Sequence, residues 1–270
     1  MADFDFSDKA LQKALVTTAH MMADAARPIT LRYFRSDKLA TSNKLSSGFD
    51  PVTQADRNAE AAMREVLAQS RPDDAIEGEE FGFAAGTSGL SWVLDPIDGT
   101  RGYISGTPTW GMLIAVNAGA GPLFGIVDQP YIDERFSGGF GVAEVSGPRG
   151  TFGLKTRSCD ALKDAVIYTT FPEVGTKADE QGFADIAAKC KLKRYGMDCY
   201  AYALLAAGQI DLVVEAGLNS YDIQGPMAVV TAAGGVVTDW KGNPAHRGGR
   251  VLAAGSAALH VQALEILANY

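Results

Sequence analysis

Four stretches of the chain place carboxylates where secondary-structure elements should end: Asp50-Pro51-Val52-Thr53-Gln54-Ala55-Asp56, Gly78-Glu79-Glu80, Asp95-Pro96-Ile97-Asp98-Gly99-Thr100 and Tyr221-Asp222. The third is the most informative. Trp92-Val93-Leu94 reads as a buried strand cut off by Asp95-Pro96, and Pro96 fixes the turn because it has no N–H for the ladder. Asp95 and Asp98, three residues apart, can then face one point. Gly99 and Thr100 open the next helix, whose free N–H groups and dipole suit an anion. Carboxylates beside an anion-binding helix start call for a cation between them. Hard oxygen ligands of this kind select Mg²⁺, which takes a few carboxylates plus substrate phosphate and keeps some waters. Each segment alone has a plainer reading: a turn with an Asp-capped helix, a solvated acidic turn, a helix start. Their joint occurrence in this order favours a site.

The elements that must position these residues follow from periodicity. Residues 7–34 read as a helix, with Ala10, Leu11, Ala14, Leu15, Thr18 and Met22 at three-to-four spacing and Ser7 as cap. The polar stretch 36–51 is too rich in Ser, Asn and Gly for a regular element. A second helix covers 53–69, with Ala59, Ala62, Met63, Val66 and Leu67 as its apolar face. Ala75-Ile76-Glu77 is a short strand closed by Gly78, and 110–128 is a hairpin around a Gly-rich turn. Gly138–Gly141 and Ser146–Gly150 mark a boundary near 150. Beyond it, strands at 165–170, 192–195, 211–215 and 236–239 alternate with helices at 180–189, 200–207, 223–233 and 256–269. The expectation is an α+β part over 1–150 carrying most metal ligands. An α/β part over 151–270 would carry the substrate residues and the last ligand, with a cleft between.

The bulk properties narrow the function. With 270 residues, the chain can bury one large core or two modest ones. A net charge of -8 argues against nucleic acid or a membrane surface as partner, since both need basic patches. No apolar run approaches the ~20 residues that cross a bilayer. The start, MADFDFSDKALQKAL, has no basic region leading into an apolar one. The three cysteines Cys159, Cys190 and Cys199 form no CxxC pair, which suits a reducing compartment and makes the cytoplasm the expected location. The three histidines His20, His246 and His260 sit near no Ser or Cys nucleophile and read as surface or packing residues. Neither GxxxxGK[ST] nor a GxGxxG before a helix is present, so a nucleotide-binding module is disfavoured.

The DPVTQAD segment, the GEE, the WVLDPIDGT block and the late YD before a helix and Gly-Gly resemble the signatures of the inositol monophosphatase superfamily. The resemblance runs from about Lys44 to Asp239. It implies a layered αβαβα sandwich, a metal-dependent phosphomonoesterase and a homodimer. It makes Glu79, Asp95, Asp98 and Asp222 metal ligands, with the Ile97 carbonyl joining Asp95. Gly99 and Thr100 give N–H groups to the phosphate, while Asp56 and Thr100 hold and polarise the attacking water, beside Glu79. Five carboxylates in one cleft require two or three divalent ions to balance them. Paired ions can activate a water and stabilise the leaving oxygen, so no protein nucleophile is needed.

Arg101 after DPIDGT, Asp128-Gln129-Pro130, the run from Arg194 through Asp198 to Tyr202, and Val214-Glu215-Ala216-Gly217-Leu218 are similar to the histidinol-phosphate phosphatase branch. Histidinol phosphate is a short phosphomonoester bearing an ammonium and an imidazole. A second set of carboxylates is expected to hold its cationic end, with Asp198 and Glu215 as candidates beside Arg101. A plain helix cap is the alternative for Asp198. Two departures from the branch are visible. Gly102 stands where Ser is usual, and Gln224-Gly225-Pro226 replace small Ala residues, with Pro226 fitting a first helical turn and its neighbours altering the wall beside the metals. The alternative substrates are inositol-1-phosphate or a broad set of small phosphomonoesters, and the non-enzyme alternative is a degenerate metal-binding regulator. A phosphatase of 3′-phosphoadenosine nucleotides lacks its expected text here.

Overall fold

In the computed structural model, residues 6–37, 41–43 and 51–270 are described; Asp50 lies outside them. The chain begins with α1 (Lys9–Tyr33), whose buried residues Leu15, Thr18, Ala19, Met22, Ala23 and Ala26 follow the helical period. Its cap is Asp8, which accepts the Ala10 N–H at 2.8 Å, one residue later than the Ser7 cap expected. The polar stretch that follows does contain regular structure: β1 (Thr41–Asn43) pairs antiparallel with β2 (Pro51–Thr53). Then α2 (Gln54–Ser70) starts in a capping box, with Thr53 as cap and Asp56 returning to it.

An eight-stranded sheet comes next, built from β3 (Ala75–Gly78), β4 (Gly82–Ala84), β5 (Ser91–Asp98), β6 (Gly111–Asn117), β7 (Pro122–Gln129), β8 (Glu134–Gly139), β9 (Val142–Gly147) and β10 (Gly150–Gly153). The short helix α3 (Thr100–Ser105) joins β5 to β6. The order is β10-β9-β8-β7-β6-β5-β3-β4, with β3 parallel to β5 and the other pairs antiparallel. Two details depart from the sequence expectation. β5 does not end at Leu94 but continues to Asp98, because the ladder to β6 slips: Asp95 faces Leu113 and Asp98 faces Gly111. Three steps on β5 oppose two on β6, and this irregularity absorbs the proline. The glycine-rich residues 138–150 lie in and between β8, β9 and β10, where alternation is too weak to announce strands.

The second half holds β11 (Val166–Thr169), α4 (Lys177–Ala187), β12 (Leu192–Tyr195), α5 (Cys199–Ala206), β13 (Leu212–Leu218), α6 (Ser220–Ala232), β14 (Val236–Thr238), β15 (Gly249–Ala254) and α7 (Ala257–Leu267). The sheet order is β12-β11-β13-β15-β14. β11 is parallel to β12 and β13, whereas β15 runs antiparallel to β13 and β14. β15 gave no signal in sequence, since its Ala-rich end and leading Gly pair lack strand formers. α6 begins at Ser220, three residues before the expected 223. Pro226 therefore sits in the second helical turn rather than the first.

Apolar packing stacks these elements into five layers. Leu15, Ala19 and Met22 of α1 and Ala59 and Met63 of α2 pack on Trp92, Leu94, Ile114 and Phe124 of the large sheet. Its other face, through Leu113, Val127 and Phe136, meets α5 and α6, which also cover Val213, Val251 and Ala253 of the small sheet. Phe183, Ile186, Leu259 and Ala263 of α4 and α7 close the far side over Leu212, Val214 and Leu252. The result is the αβαβα sandwich. Among the described residues no helix is long and apolar enough to cross a membrane.

Candidate active site

A cavity of about 320 Å³ opens where β3 and β5 end and where α3, α5, β13 and α6 converge. Glu79, Asp95, Ile97, Asp98, Gly99, Thr100, Arg101, Asp198, Glu215 and Asp222 all line it. Among the anticipated residues, Asp56 is the exception. It is 1% exposed and lies outside this lining, close enough to Glu80 and Glu79 to feel their charge.

The β5 irregularity builds the centre. Asp95 accepts the Ile97 N–H at 3.0 Å, which turns the chain over Pro96. The Thr100 hydroxyl donates to the Ile97 carbonyl at 3.1 Å. Between them Gly99 adopts φ 81°, a left-handed conformation. A Cβ there would also lie 2.8 Å from the Asp198 carboxyl, so glycine is required twice over. Asp222 is the third residue of α6 and its Oδ2 accepts the Asn219 N–H at 2.6 Å. The pattern repeats that of Asp56, whose Oδ2 accepts the Thr53 N–H at 2.8 Å and the Thr53 hydroxyl at 2.5 Å. In both, the turn that starts the helix fixes a carboxylate oxygen in place.

Oxygens of Asp95, Asp98 and Asp222 lie within 4.8 Å of one another. Burial, then the charge of Glu79, Asp98 and Asp222, pushes the Asp95 carboxyl well above its ordinary range. Asp98 is raised by burial and by Asp198 and Asp222, against the opposing N–H of Cys199. Asp56 is raised to about 7, mainly by burial, and its Oδ1 is buried with no hydrogen-bond partner among the described residues. Crowded hard oxygens that cannot all ionise by themselves, with a buried oxygen left over, fit divalent cations.

Glu60 was not singled out in sequence, yet it shapes the acidic turn. Fully buried and paired with Arg64 at 2.8 Å, it accepts the Glu80 N–H at 2.7 Å. A Cβ on Gly78 would stand 2.0 Å from its Oε1, so the turn carrying Glu79 needs glycine at that point. The only trace of this in sequence is the helical spacing that turns Glu60 inward.

Asp198 precedes α5 with φ 46°, and its side chain makes no capping hydrogen bond. The helix-cap alternative is thereby set aside: the carboxylate turns toward Gly99. Burial raises it to about 6, opposed by Thr109 and by the Arg101 guanidinium. Glu215 accepts from the Thr170 N–H at 2.6 Å, the Thr170 hydroxyl at 2.8 Å and the Thr169 hydroxyl at 3.0 Å. It is raised to about 7 by burial, against these donors. Arg101 lies with its guanidinium carbon 5.0 Å from the Phe171 ring centre, joining α3 to the segment after β11.

The Gln224-Gly225 departure does not reach this cavity. Gln224 accepts from Asn117 at 2.8 Å and donates to the His246 carbonyl at 3.0 Å. Gly225 packs on the large sheet, where a Cβ would meet the Ile126 carbonyl at 2.9 Å. The expected effect on the metal-site wall is absent because α6 turns both residues away from it. None of the three histidines lines the cavity.

Fold and site together gather carboxylates around a cavity of about 320 Å³, and the comparisons define the class as a hydrolase. The inositol monophosphatase family profile matches residues 11–270. The chain is 38% identical to the bifunctional phosphatase IMPL2 of Arabidopsis thaliana, described as chloroplastic, over 97% of this chain and 77% of that protein. It is 34% identical to a histidinol-phosphatase of Streptomyces coelicolor, over 92% and 95% of the two chains. An inositol monophosphatase structure from Zymomonas mobilis superposes with a TM-score of 0.81 at 40% identity, covering 94% and 97%. This chain belongs to the inositol monophosphatase family. It is a phosphatase, of a family that is generally metal dependent.

Proposed function

We infer that the protein is a Mg²⁺-dependent histidinol-phosphate phosphatase of histidine biosynthesis. The observation that carries this is the pair Asp198 and Glu215. Glu215 is buried and Asp198 half-buried in the same cavity as the metal-site carboxylates, and both carry raised pKa values that a cationic ligand would lower. Histidinol phosphate supplies such a cation at the end remote from its phosphate. The resemblance to histidinol-phosphatases supports the same choice. Inositol-1-phosphate is the second reading, because the same carboxylates can accept from hydroxyls.

Glu79, Asp95, the Ile97 carbonyl, Asp98 and Asp222 would hold two or three Mg²⁺ ions. Those ions would supply charge neutralisation for the phosphate and a lowered pKa for a water. The chain's own part is orientation. The Thr100 hydroxyl commits its proton to the Ile97 carbonyl, which leaves its lone pairs to accept from the attacking water. Asp56, whose Oδ1 has no hydrogen-bond partner among the described residues, would hold and polarise that water together with Thr100. Gly99 and Thr100 would give N–H groups to the phosphate. Arg101 would border the ester's alcohol end beside Asp198. The further reading is a cytoplasmic homodimer, supported by three cysteines without disulfides and by the family resemblance.

Phosphate release from histidinol phosphate, inositol-1-phosphate and an adenosine 3′,5′-bisphosphate, each with and without Mg²⁺, tests the reading. Histidinol phosphate should give the highest kcat/KM. A preference for inositol-1-phosphate would transfer the conclusion to the second reading.

A further inference from the structure

Tyr202, in the middle of α5, has a hydroxyl that the roles above leave unused. Its ring packs in the core shared by the two sheets, near Val213 and Val229. The residue is 3% exposed, yet it lines the active-site cavity. Its hydroxyl is buried and has no hydrogen-bond partner among the described residues. Glu215, Asp98 and Asp222 are the carboxylates whose charge reaches it. None of these acceptors takes its proton. A phenylalanine would fill the same core volume without burying an unpaired polar group, which costs stability.

We propose that the Tyr202 hydroxyl is a substrate-positioning group, bridging with Glu215 to an amine or hydroxyl on the alcohol half of the phosphate ester. The geometry selects this chemistry. Glu215 only accepts, so the shared group must carry N–H or O–H donors. A substrate hydroxyl would donate to Glu215 and accept from Tyr202. A substrate ammonium would donate to both. Three of the acceptor positions on Glu215 are already filled by Thr169 and Thr170, which hold the carboxylate in place for this role. The inference rests on the phosphomonoesterase reading and deepens it, since it states what the alcohol must carry.

Tyr202→Phe, compared with wild type, tests it through two readouts. The first is Tm of the Mg²⁺-loaded protein without ester, which should stay the same or rise. A fall of several degrees would show that the hydroxyl serves the fold, and would overturn the proposal. The second is the steady-state split. KM for the ester bearing the bridged donor should rise about 2- to 13-fold, the range of one neutral hydrogen bond, with kcat essentially unchanged. Histidinol phosphate and inositol-1-phosphate are run in parallel, and the ester affected tells amine from hydroxyl. p-Nitrophenyl phosphate, whose alcohol carries no donor, sets the ratio; an equal change with all three esters, or none with any, overturns the proposal. If wild type cleaves p-nitrophenyl phosphate but neither other ester, the substrate reading fails. Tyr202 is then judged on Tm alone, where a lowered value overturns it and an unchanged or raised one upholds it.

Discussion

Asp98 Oδ2 accepts the backbone N–H of Cys199 at 2.7 Å. This bond ties the end of β5 in the large sheet to the first residue of α5, which packs between the sheets. Asp198, the residue before Cys199, is thereby brought against Gly99. The carboxylates for metal and those for substrate are thus set by one short junction rather than by two independent loops. Replacing Asp98 with Asn keeps an acceptor for Cys199 and removes one charge from a crowded cluster. We expect kcat to fall by several orders of magnitude, with Tm of the metal-free protein unchanged or higher. An Asn variant that unfolds would recast Asp98 as a structural anchor.

Removal of divalent ions should abolish turnover and lower Tm together. EDTA leaves Asp95, Asp98 and Asp222 within 4.8 Å of one another with nothing to balance them. Mg²⁺ binds only the folded arrangement, so saturation should raise Tm, by about 2.7 kcal/mol of stability at 100-fold excess over Kd. Full activity in EDTA would contradict the metal assignment.

Thr100→Ala deletes the hydroxyl bonded to the Ile97 carbonyl and keeps the backbone N–H. We expect kcat to drop about 10²-fold or more with KM changed little, and Thr100→Ser to recover most of the loss. A loss confined to KM would make Thr100 a binding residue only.

Asp198→Asn keeps size and removes charge. A charge-assisted contact to the substrate's cationic end is worth roughly 1.5–3 kcal/mol, or about 10- to 150-fold. The ratio of kcat/KM for histidinol phosphate to that for p-nitrophenyl phosphate should fall by this factor. A constant ratio would separate Asp198 from substrate selection and move inositol phosphate ahead.

Stability of the metal-free protein should depend on Glu215. Its pKa rises from 4.5 to about 7 on folding, chiefly by burial. An acid raised on folding holds its proton better in the native state, so stability is greatest below pH 4.5 and declines as pH climbs toward 7. The decline attributable to Glu215 is on the order of 3 kcal/mol. Thermal melts in EDTA from pH 5 to 8 should show a shallower loss for Glu215→Gln than for wild type. Parallel curves would place the raised acidity elsewhere, with Asp56 the first candidate.

The acidic turn offers a prediction about stability. Gly78→Ala drives a methyl into Glu60 Oε1, and Glu60 cannot move without losing Arg64 and the Glu80 N–H. We expect a cost of about 2–4 kcal/mol, seen as a lower urea midpoint, and weaker Mg²⁺ activation. A silent variant would show that this turn has room to shift.

Much of the molecule was legible in residue order, because the relevant physics is local. Apolar period, capping residues and turn residues announced α1, α2, the β6–β7 hairpin and most of the alternation after residue 160. The WVLDPIDGT block placed Asp95, Asp98, Gly99 and Thr100 side by side, since their neighbourhood is a single strand end and its turn. What needed the tertiary structure depends on contacts between distant segments. β8 to β10 and β15 exist through pairing, not propensity. Asp198 turns from its own helix toward Gly99 because α5 docks on the end of β5. Gln224 looks away from the site because α6 starts at Ser220 and presents that side to Asn117. Tyr202 ends a run that resembles the histidinol-phosphate phosphatase branch but received no role from it, and Glu60 belongs to no motif. One matters for an unpaired hydroxyl inside a cavity, the other for the space beneath a glycine, and both are properties of packing that no spacing along a chain can encode.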